Sequence, residues 1–223
     1  MNRTVKVTSI SDTHGLHRSV DIEKTDILLF AGDAMTSGYD YNNLLDFLDW
    51  FSSRPAKHKI MIAGNHCRYL ENYPEKFEAI MLDYPSVVYL KDSFTIVEGL
   101  KIYGTPHSKV FFNWAFNSSE AKLEELFDMI PMDTHILLSH APQWGVLDEL
   151  VDGKNVGEVT LHRIIKKMPN LKLHVFGHIH NSFGMIKPDK QHISINASQV
   201  DEEYNITNFP ITVKIKIDDN NAR

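Results

Sequence analysis

Five short segments of this chain end in side chains that commonly bind metal ions, and each segment follows an apolar run. The segments are Asp12-Thr13-His14, Gly32-Asp33, Gly64-Asn65-His66, Ser139-His140 and Gly177-His178-Ile179-His180. The apolar runs are typical of buried strands, and strands aligned in one sheet bring their ends to the same edge. We therefore expect two Asp, one Asn and five His side chains to gather there. Such a set could hold two divalent metals side by side, which points to phosphoester chemistry.

Each segment has a simpler explanation when it is taken alone. An Asp-x-His triplet is often only a polar turn, and Asp33 at the end of a buried run could be a helix N-cap. His174 within a strand and His135 at the start of another are interpreted as structural histidines. The same layout recurs in five places, with Gly before three of the ligand positions. That recurrence favours a shared metal site over packing.

Apolar runs alternate with helix-like stretches along most of the chain, which predicts a single domain at residues 1–223 built as a two-sheet sandwich flanked by helices. Residues 218–223 are predicted to be a flexible tail. The predicted strands are Val5–Ile10, Asp26–Ala31, Lys59–Ala63, Val87–Leu90, Thr95–Val97, Leu100–Tyr103, His135–Ser139, Leu171–Phe176, His192–Asn196 and Ile211–Ile217. The predicted helices are Tyr41–Ser53, Pro74–Leu82, Ser118–Ile130 with Ser118 as N-cap, and Val156–Met168. A tight hairpin turn is predicted at Val97-Glu98-Gly99-Leu100.

The composition is that of an ordinary globular protein and excludes some classes of partner. The 223 residues are 43% hydrophobic and 23% charged, with a net charge of −6. No strongly basic face for duplex nucleic acid is expected from this balance, whereas a small or single-stranded phosphate ester remains compatible. Cys67 is the only cysteine, so no internal disulfide or thiolate zinc cluster can form. We interpret Cys67 as a small buried hydrophobe.

Targeting segments are not evident in the sequence. Residues 1–3 run directly into the first predicted strand, without an apolar signal region. The chain also lacks the eighteen consecutive apolar residues that a spanning helix requires. The sequence therefore predicts a cytoplasmic protein with no membrane partner, and it leaves the oligomeric state open.

In this order, the five motifs resemble the calcineurin-like metallophosphoesterase superfamily, and within it the small MPPED-type branch. The resemblance spans nearly the whole chain in collinear order. It also rests on the stretches 101–106 (KIYGTP), 111–117 (FFNWAFN), 174–180 (HVFGHIH) and 195–198 (INAS). It implies an α/β fold, a four-layer α/β/β/α sandwich, with metals bound at the edges of the sheets.

The resemblance also assigns roles to the site residues. The first metal would be bound by Asp12, His14 and His180, and Asp33 would bridge the two metals. Asn65, His140 and His178 would bind the second metal. Two residues would take part directly in catalysis: Asn65 at the phosphoryl oxygens, and His66 facing the leaving group.

Three departures from the family pattern affect this assignment. Cys67 stands where many relatives have an acid. Thr36 stands where the Ser/Thr phosphatases of the superfamily place an Asp that orients the acid His, so the group that orients His66 is not identified. His107 stands where the branch commonly has Trp, which indicates a different pocket specificity. The chain does keep His178, which some branch members replace by Gly.

The predicted function is hydrolysis of small phosphodiesters, including cyclic nucleotides, by attack of a hydroxide that bridges two divalent metals. A donor set of imidazole and carboxylate without soft ligands suits Mn²⁺, Fe²⁺, Zn²⁺ or Ni²⁺, and the resemblance favours Mn²⁺. A nuclease acting on single-stranded nucleic acid is one alternative function. A non-enzymatic scaffold of the same fold is another, although no expected ligand is missing.

The aromatic stretch from Phe111 to Phe116 has two interpretations. The first is core packing, and the second is a rim on which a nucleobase stacks. The sequence alone leaves both open.

Overall fold

The computed structural model describes residues 2–218, whose strands form two large sheets and one small sheet. The first sheet contains β1 (Asn2–Ile10), β2 (Thr25–Phe30), β3 (Ala56–Met61), β4 (Val87–Tyr89) and β13 (Ile211–Asp218). The second contains β5 (Ser93–Val97), β6 (Leu100–Thr105), β9 (Ile136–Ser139), β10 (Leu173–Phe176), β11 (Gly184–Ile186) and β12 (Ile193–Asn196). The short strands β7 (Ser108–Lys109) and β8 (Asn117–Ser118) pair with each other.

Five helices lie among the described residues: α1 (Tyr41–Ser52), α2 (Arg68–Asn72), α3 (Pro74–Met81), α4 (Glu120–Asp128) and α5 (Val159–Ile165). Two 3-10 turns lie at His17–Ser19 and His180–Ser182. Over residues 2–218, no helix combines the length and the apolar character that crossing a bilayer requires.

Each large sheet has a parallel centre, with an antiparallel strand at one margin of the first sheet and at both margins of the second. The first sheet has the order β13-β1-β2-β3-β4, in which only the β1–β13 pair is antiparallel. The second has the order β11-β12-β10-β9-β6-β5, and its β11–β12 and β5–β6 pairs are antiparallel. The carboxyl ends of β1, β2 and β3 therefore meet at one edge, as do those of β9 and β10 in the other sheet.

Alternating side chains of β2 show how the layers pack. Leu28 and Phe30 belong to the cluster that packs on α1, whereas Ile27 and Leu29 belong to a cluster shared with β9 and β10 of the second sheet. A third cluster joins the other face of the second sheet to α4 and α5. Full burial of one such side chain contributes about 1.5–3 kcal/mol. This distribution of the core agrees with the predicted α/β/β/α sandwich.

Most predicted helices and strands are present, and their predicted bounds differ from the observed ones mainly at the ends of each element. The hairpin is confirmed, because Val97 pairs with Leu100 and both turn residues have a positive φ. The predicted N-cap Ser118 is wrong: Ser118 lies in β8, and Ser119 caps α4 by accepting a hydrogen bond from the Lys122 N–H. The last predicted helix, 156–168, is shorter, since α5 covers only Val159–Ile165. The sequence analysis missed α2, β7, β8 and β11.

The predicted tail at residues 218–223 falls mostly outside the described residues. Asp218 is the last residue of β13, and residues 219–223 are not described. The division into one domain at residues 1–223 stays a prediction.

Candidate metal centre

Four of the predicted ligands have a left-handed main-chain φ angle, and that of His14 is 43°. The φ angles of Asp12, Asp33 and His178 are 50°, 58° and 71°. A non-glycine residue in this region costs roughly 1–3 kcal/mol, and such strain concentrates at functional sites. The Asp-x-His and His-x-His segments are therefore not continuations of the extended strands that precede them. Main-chain hydrogen bonds hold the turns, including one of 2.9 Å from the Asp12 N–H to the Gly32 carbonyl.

Asp12, His14 and His180 form a buried group at the spacing of metal ligands. Their ligand atoms all lie within 4.8 Å of one another. Oδ1 of Asp12 is 3.7 Å from Nε2 of His180 and 4.0 Å from Nε2 of His14. The two Nε2 atoms lie 3.3 Å apart.

The protonation of these two imidazoles fits a cation between them. Nδ1 of His14 donates to the Met35 carbonyl at 3.2 Å, and Nδ1 of His180 donates to the Asp201 carbonyl at 3.1 Å. Neutral rings held in this tautomer direct two Nε2 lone pairs at each other. A cation bound between the two nitrogens would satisfy that arrangement. Carbonyl partners of this kind are the usual outer contacts of metal-binding histidines.

A second group surrounds His140, which is fully buried. Its Nε2 lies 2.7 Å from Oδ1 of Asn65 and 3.2 Å from Oδ2 of Asp33, and its Nδ1 donates to the Ala31 carbonyl at 2.9 Å. Burial alone would lower the pKa of His140, but the Asp33 carboxylate outweighs it and raises the pKa to about 9. In the metal-free protein, the proton on Nε2 therefore occupies the position where a cation would be bound.

The two carboxylates are the most buried charges of the site. Asp12 and Asp33 are 0% and 2% exposed. Burial raises the pKa of both, yet the surrounding imidazoles outweigh it and hold both values below the ordinary range. Buried carboxylates remain ionised only with compensating positive charge, which divalent metals supply. Asp33 belongs to two of the three metal-spaced groups, as do Asp12 and His14, and its role as the bridging ligand stays a prediction.

His178 lies beside His140, with a distance of 5.0 Å between the ring centroids. Burial lowers its pKa to about 3, so the imidazole is neutral, which is the form that binds metals. Its main-chain N–H contacts both carboxylate oxygens of Asp12 at 3.1 Å. Among the described residues, the metal-spaced groups do not include His178. Its role as a ligand stays a prediction.

His66 lies at the rim of the same cluster, and the structure identifies what orients it. Its Nδ1 donates to the main-chain carbonyl of Thr36 at 2.6 Å, and its main-chain N–H donates to Oδ1 of Asp33 at 2.7 Å. The ring also stacks on Trp114. The threonine side chain that replaces the expected acid is not used for this purpose, since it bonds the His14 carbonyl.

Two glycines allow the ligands to approach the backbone. A Cβ at Gly177 would overlap Oδ2 of Asp12, and a Cβ at Gly64 would overlap Oδ1 of Asp33. The Gly that precedes Asn65 and the Gly that precedes His178 in the sequence are thus needed for space rather than for a special backbone angle.

Tyr204 is a site residue that the sequence analysis missed. Its ring meets those of His14 and His180 edge to face, with centroid distances of 4.7 and 5.5 Å. It lies on a turn held by the Asp201 carboxylate, at a φ of 62°. The sequence around it carries only polar turn residues, which gave no signal of a site.

The other residues singled out from the sequence lie outside this cluster. Cys67 is buried, and burial raises the pKa of its thiol to about 12, which confirms the small buried hydrophobe. His107 bonds Oδ2 of Asp92 at 2.8 Å. His174 is fully buried and bonds the Ser139 hydroxyl at 2.8 Å, as a structural histidine does.

Metal binding is expected to stabilise the fold, since the site is preformed and carries uncompensated charge. Mn²⁺ at about 100 times its dissociation constant should add about 2.7 kcal/mol to the free energy of unfolding. For a chain of this size, that corresponds to a rise of roughly 5–10 °C in the melting temperature. Thermal unfolding with and without a chelator measures it. His180→Asn should lose most of the rise and His135→Asn should keep it; an unchanged melting temperature in the wild type would contradict the metal site.

Comparison with known proteins gives a consistent family. A family model described as calcineurin-like phosphoesterase matches residues 5–182. The human metallophosphoesterase domain-containing protein 1 is 31% identical over 92% of this chain and 69% of its own length. A UPF0046 protein of Caenorhabditis elegans is 30% identical over 96% of this chain and 60% of its own length.

Solved structures with low identity share the fold. A crystallised protein of Thermus thermophilus superimposes with a TM-score of 0.61 at 13% identity, over 87% of this chain and 89% of its own. A 5′-nucleotidase of Candida albicans superimposes with a TM-score of 0.54 at 15% identity, over 86% of this chain and 44% of its own.

Proposed function

We propose, because the chain belongs to the calcineurin-like phosphoesterase family, that it hydrolyses small phosphodiesters, including cyclic nucleotides, with two bound divalent metals. Members of this family are metal-dependent hydrolases of phosphoesters. The observation that carries the proposal is the overlap of three metal-spaced groups of buried side chains, in which Asp12, His14 and Asp33 each belong to two. One cation would be bound by Asp12, His14 and His180, and the other by Asn65, His140 and His178, with Asp33 between them.

When bound, paired divalent metals supply positive charge to the phosphoryl group and lower the pKa of water. The chain's own residues supply the rest. The Asn65 side chain offers an amide N–H₂ group to a non-bridging phosphoryl oxygen while its oxygen faces His140. The buried carboxylates and imidazoles are held by main-chain partners, so little reorganisation accompanies the reaction.

His66 is assigned to the leaving group. With Nδ1 donating to the Thr36 carbonyl, a protonated ring has Nε2–H free to donate to a departing oxygen. Its ligand atom lies within 4.8 Å of those of His14 and Asp33, so the donor is close to the metal cluster. A proton donor accelerates most the reactions with a poor leaving group, such as the alkoxide of a phosphodiester. This supports a diester over an activated monoester as substrate.

Mn²⁺ is the metal we favour, and Fe²⁺, Zn²⁺ and Ni²⁺ fit the same donors. The set mixes imidazole with carboxylate and has no thiolate, because Cys67 is protonated and buried. The cytoplasmic location also stays a prediction.

An activity screen tests the proposal. Protein loaded with Mn²⁺ should hydrolyse bis(p-nitrophenyl) phosphate with a kcat/KM at least about tenfold above that for p-nitrophenyl phosphate, which has the same leaving group and so isolates the preference for a diester. It should also hydrolyse at least one nucleoside cyclic phosphate, whose alkoxide leaving group needs the proton donor. Protein treated with chelator is the control. Hydrolysis of the monoester alone would reject the diester assignment.

A nuclease acting on single-stranded nucleic acid is the second candidate. Phe111 and Phe112 are 61% and 76% exposed, and their loop also carries Trp114 beside His66. Exposed aromatic rings of this kind can stack on unpaired bases at about 1–3 kcal/mol per base. An oligonucleotide included in the same screen separates the two candidates, since a nuclease would cleave it faster than a cyclic nucleotide.

A further inference from the structure

Trp114 covers one face of the His66 imidazole. The two ring centroids lie 4.0 Å apart, with 29° between the ring planes. His66 also meets His14 of the ligand cluster edge to face, with a centroid distance of 4.7 Å. The imidazole therefore contacts both the indole and the ligand cluster.

The loop that carries Trp114 is fixed to the segment that carries His66. Its Ala115 N–H donates to the carbonyl of Asn65 at 3.0 Å, next to His66 in the chain. The Phe116 N–H donates to Oε1 of Glu71 at 2.7 Å, and Glu71 is on α2, which begins directly after Cys67. Both Ala115 and Phe116 are buried, at 0% and 2% exposure.

An ion pair on α2 completes the attachment. Arg68 pairs with the second carboxylate oxygen of Glu71 at 2.8 Å and also donates to the Asn113 carbonyl of the loop. The loop thus bonds at three of its residues, Asn113, Ala115 and Phe116. These bonds tie the loop to α2 and to the segment of His66, so the indole keeps its position relative to the imidazole.

The hydrogen bond to Thr36 fixes the tautomer of His66 but leaves the ring free to swing about that bond. Stacking restricts this rotation, because an imidazole that tilts away from the face of the indole loses the contact with it. An offset aromatic pair contributes about 0.5–1.5 kcal/mol beyond its buried area. A proton donor that is displaced by about 1 Å can lose roughly 10²-fold in rate.

We propose that Trp114 is a positioning residue for His66, rather than core filling or a platform for a nucleobase. The loop 111–117 holds the indole, and the indole holds the imidazole with Nε2 toward the leaving group. This inference rests on the leaving-group role given to His66 under the proposed function.

Trp114→Ala tests the inference through its dependence on the leaving group. With an alkoxide leaving group, in a nucleoside cyclic phosphate, kcat should fall roughly 10–100-fold while KM stays within about twofold. With p-nitrophenolate as leaving group the loss should stay below about threefold. Trp114→Phe should restore most of the alkoxide turnover, because a phenyl ring can still stack. Equal losses for the two leaving groups would overturn the proposal.

A double-mutant cycle adds an independent criterion. In the His66→Ala background, Trp114→Ala should cause no further loss, because the residue it positions is gone. Additive losses would mean that Trp114 contacts the substrate itself. Val110→Ala is the matched control directly before the same loop: its side chain is 63% exposed, and its turnover should equal that of the wild type. A loss in Phe112→Ala as large as in Trp114→Ala would favour the nucleobase platform and reject the proposal.

Three measurements do not require activity. The Mn²⁺ dissociation constant and the melting temperature of Trp114→Ala should match those of the wild type, which separates positioning from damage to the metal site. By NMR, the Nδ1–H proton of His66 should be protected from exchange in the wild type and lose protection in Trp114→Ala. If the wild type hydrolyses no diester but Trp114→Ala still loses the exchange protection, the proposed function fails and the positioning of His66 by Trp114 stands. Unchanged protection overturns the positioning whatever the substrate is.

Discussion

Asp33→Asn is expected to abolish turnover and metal loading together. Asn keeps the shape of the side chain and can still accept the hydrogen bond from the His66 N–H. What it loses is the charge, and that charge faces His140 at 3.2 Å and belongs to two of the metal-spaced groups. Both metals would lose a ligand at once, so we expect kcat/KM to fall by roughly 10³-fold or more.

Metal content per chain and diester turnover are the two quantities to measure on the same sample. Asp152→Asn is the matched control, because it makes the same chemical change at an exposed position. A full metal content with normal turnover in Asp33→Asn would refute the bridging assignment. In chelator the melting temperature of the variant should fall, because removing the Asp33 charge leaves the buried His140 imidazolium without its partner.

His66→Ala is expected to separate substrates by their leaving group. For an alkoxide the loss in kcat should be about 10²–10⁴-fold, which is the usual contribution of a positioned proton donor. For p-nitrophenolate, which departs without a proton, the loss should stay under about tenfold. The metal ligands are untouched, so the Mn²⁺ dissociation constant should remain close to that of the wild type.

His58→Ala provides the comparison, because His58 pairs with Glu98 on the surface and has no contact with the cluster. A similar loss of turnover for both kinds of leaving group in His66→Ala would contradict the acid role. It would indicate that His66 serves the metals instead, as the spacing of its ligand atom to those of His14 and Asp33 would allow.

The sequence predicted that the ligand side chains lie close together, because the carboxyl ends of parallel strands meet at one edge of a sheet. Asp12, Asp33 and Asn65 follow β1, β2 and β3, whose parallel pairing directs their carboxyl ends to one edge. The turns that aim the side chains were not predictable, since left-handed φ angles at Asp and His are set by the surrounding main chain. The partner of His66 was missed for a similar reason: it is a carbonyl, and a carbonyl has no sequence signature.

The aromatic stretch illustrates a limit of pattern reasoning. Its residues separate in the structure: Phe116 is buried, Phe111 and Phe112 are exposed, and Trp114 contacts His66. Neither core packing nor a rim describes the whole stretch. Periodicity assigns one environment to a segment, whereas a loop with positive φ at Phe112 and Phe116 turns each side chain in a different direction.

The cluster lies across the seam between the two sheets. Nδ1 of His140 from the second sheet bonds the Ala31 carbonyl of the first, and the Gln199 N–H bonds the carbonyl of Ser11. A metal bound there would link the two sheets through ligands that come from each of them. Removal of the metal should therefore loosen this edge, and amide deuteration at the adjoining strand ends should be faster in chelator than with Mn²⁺ bound.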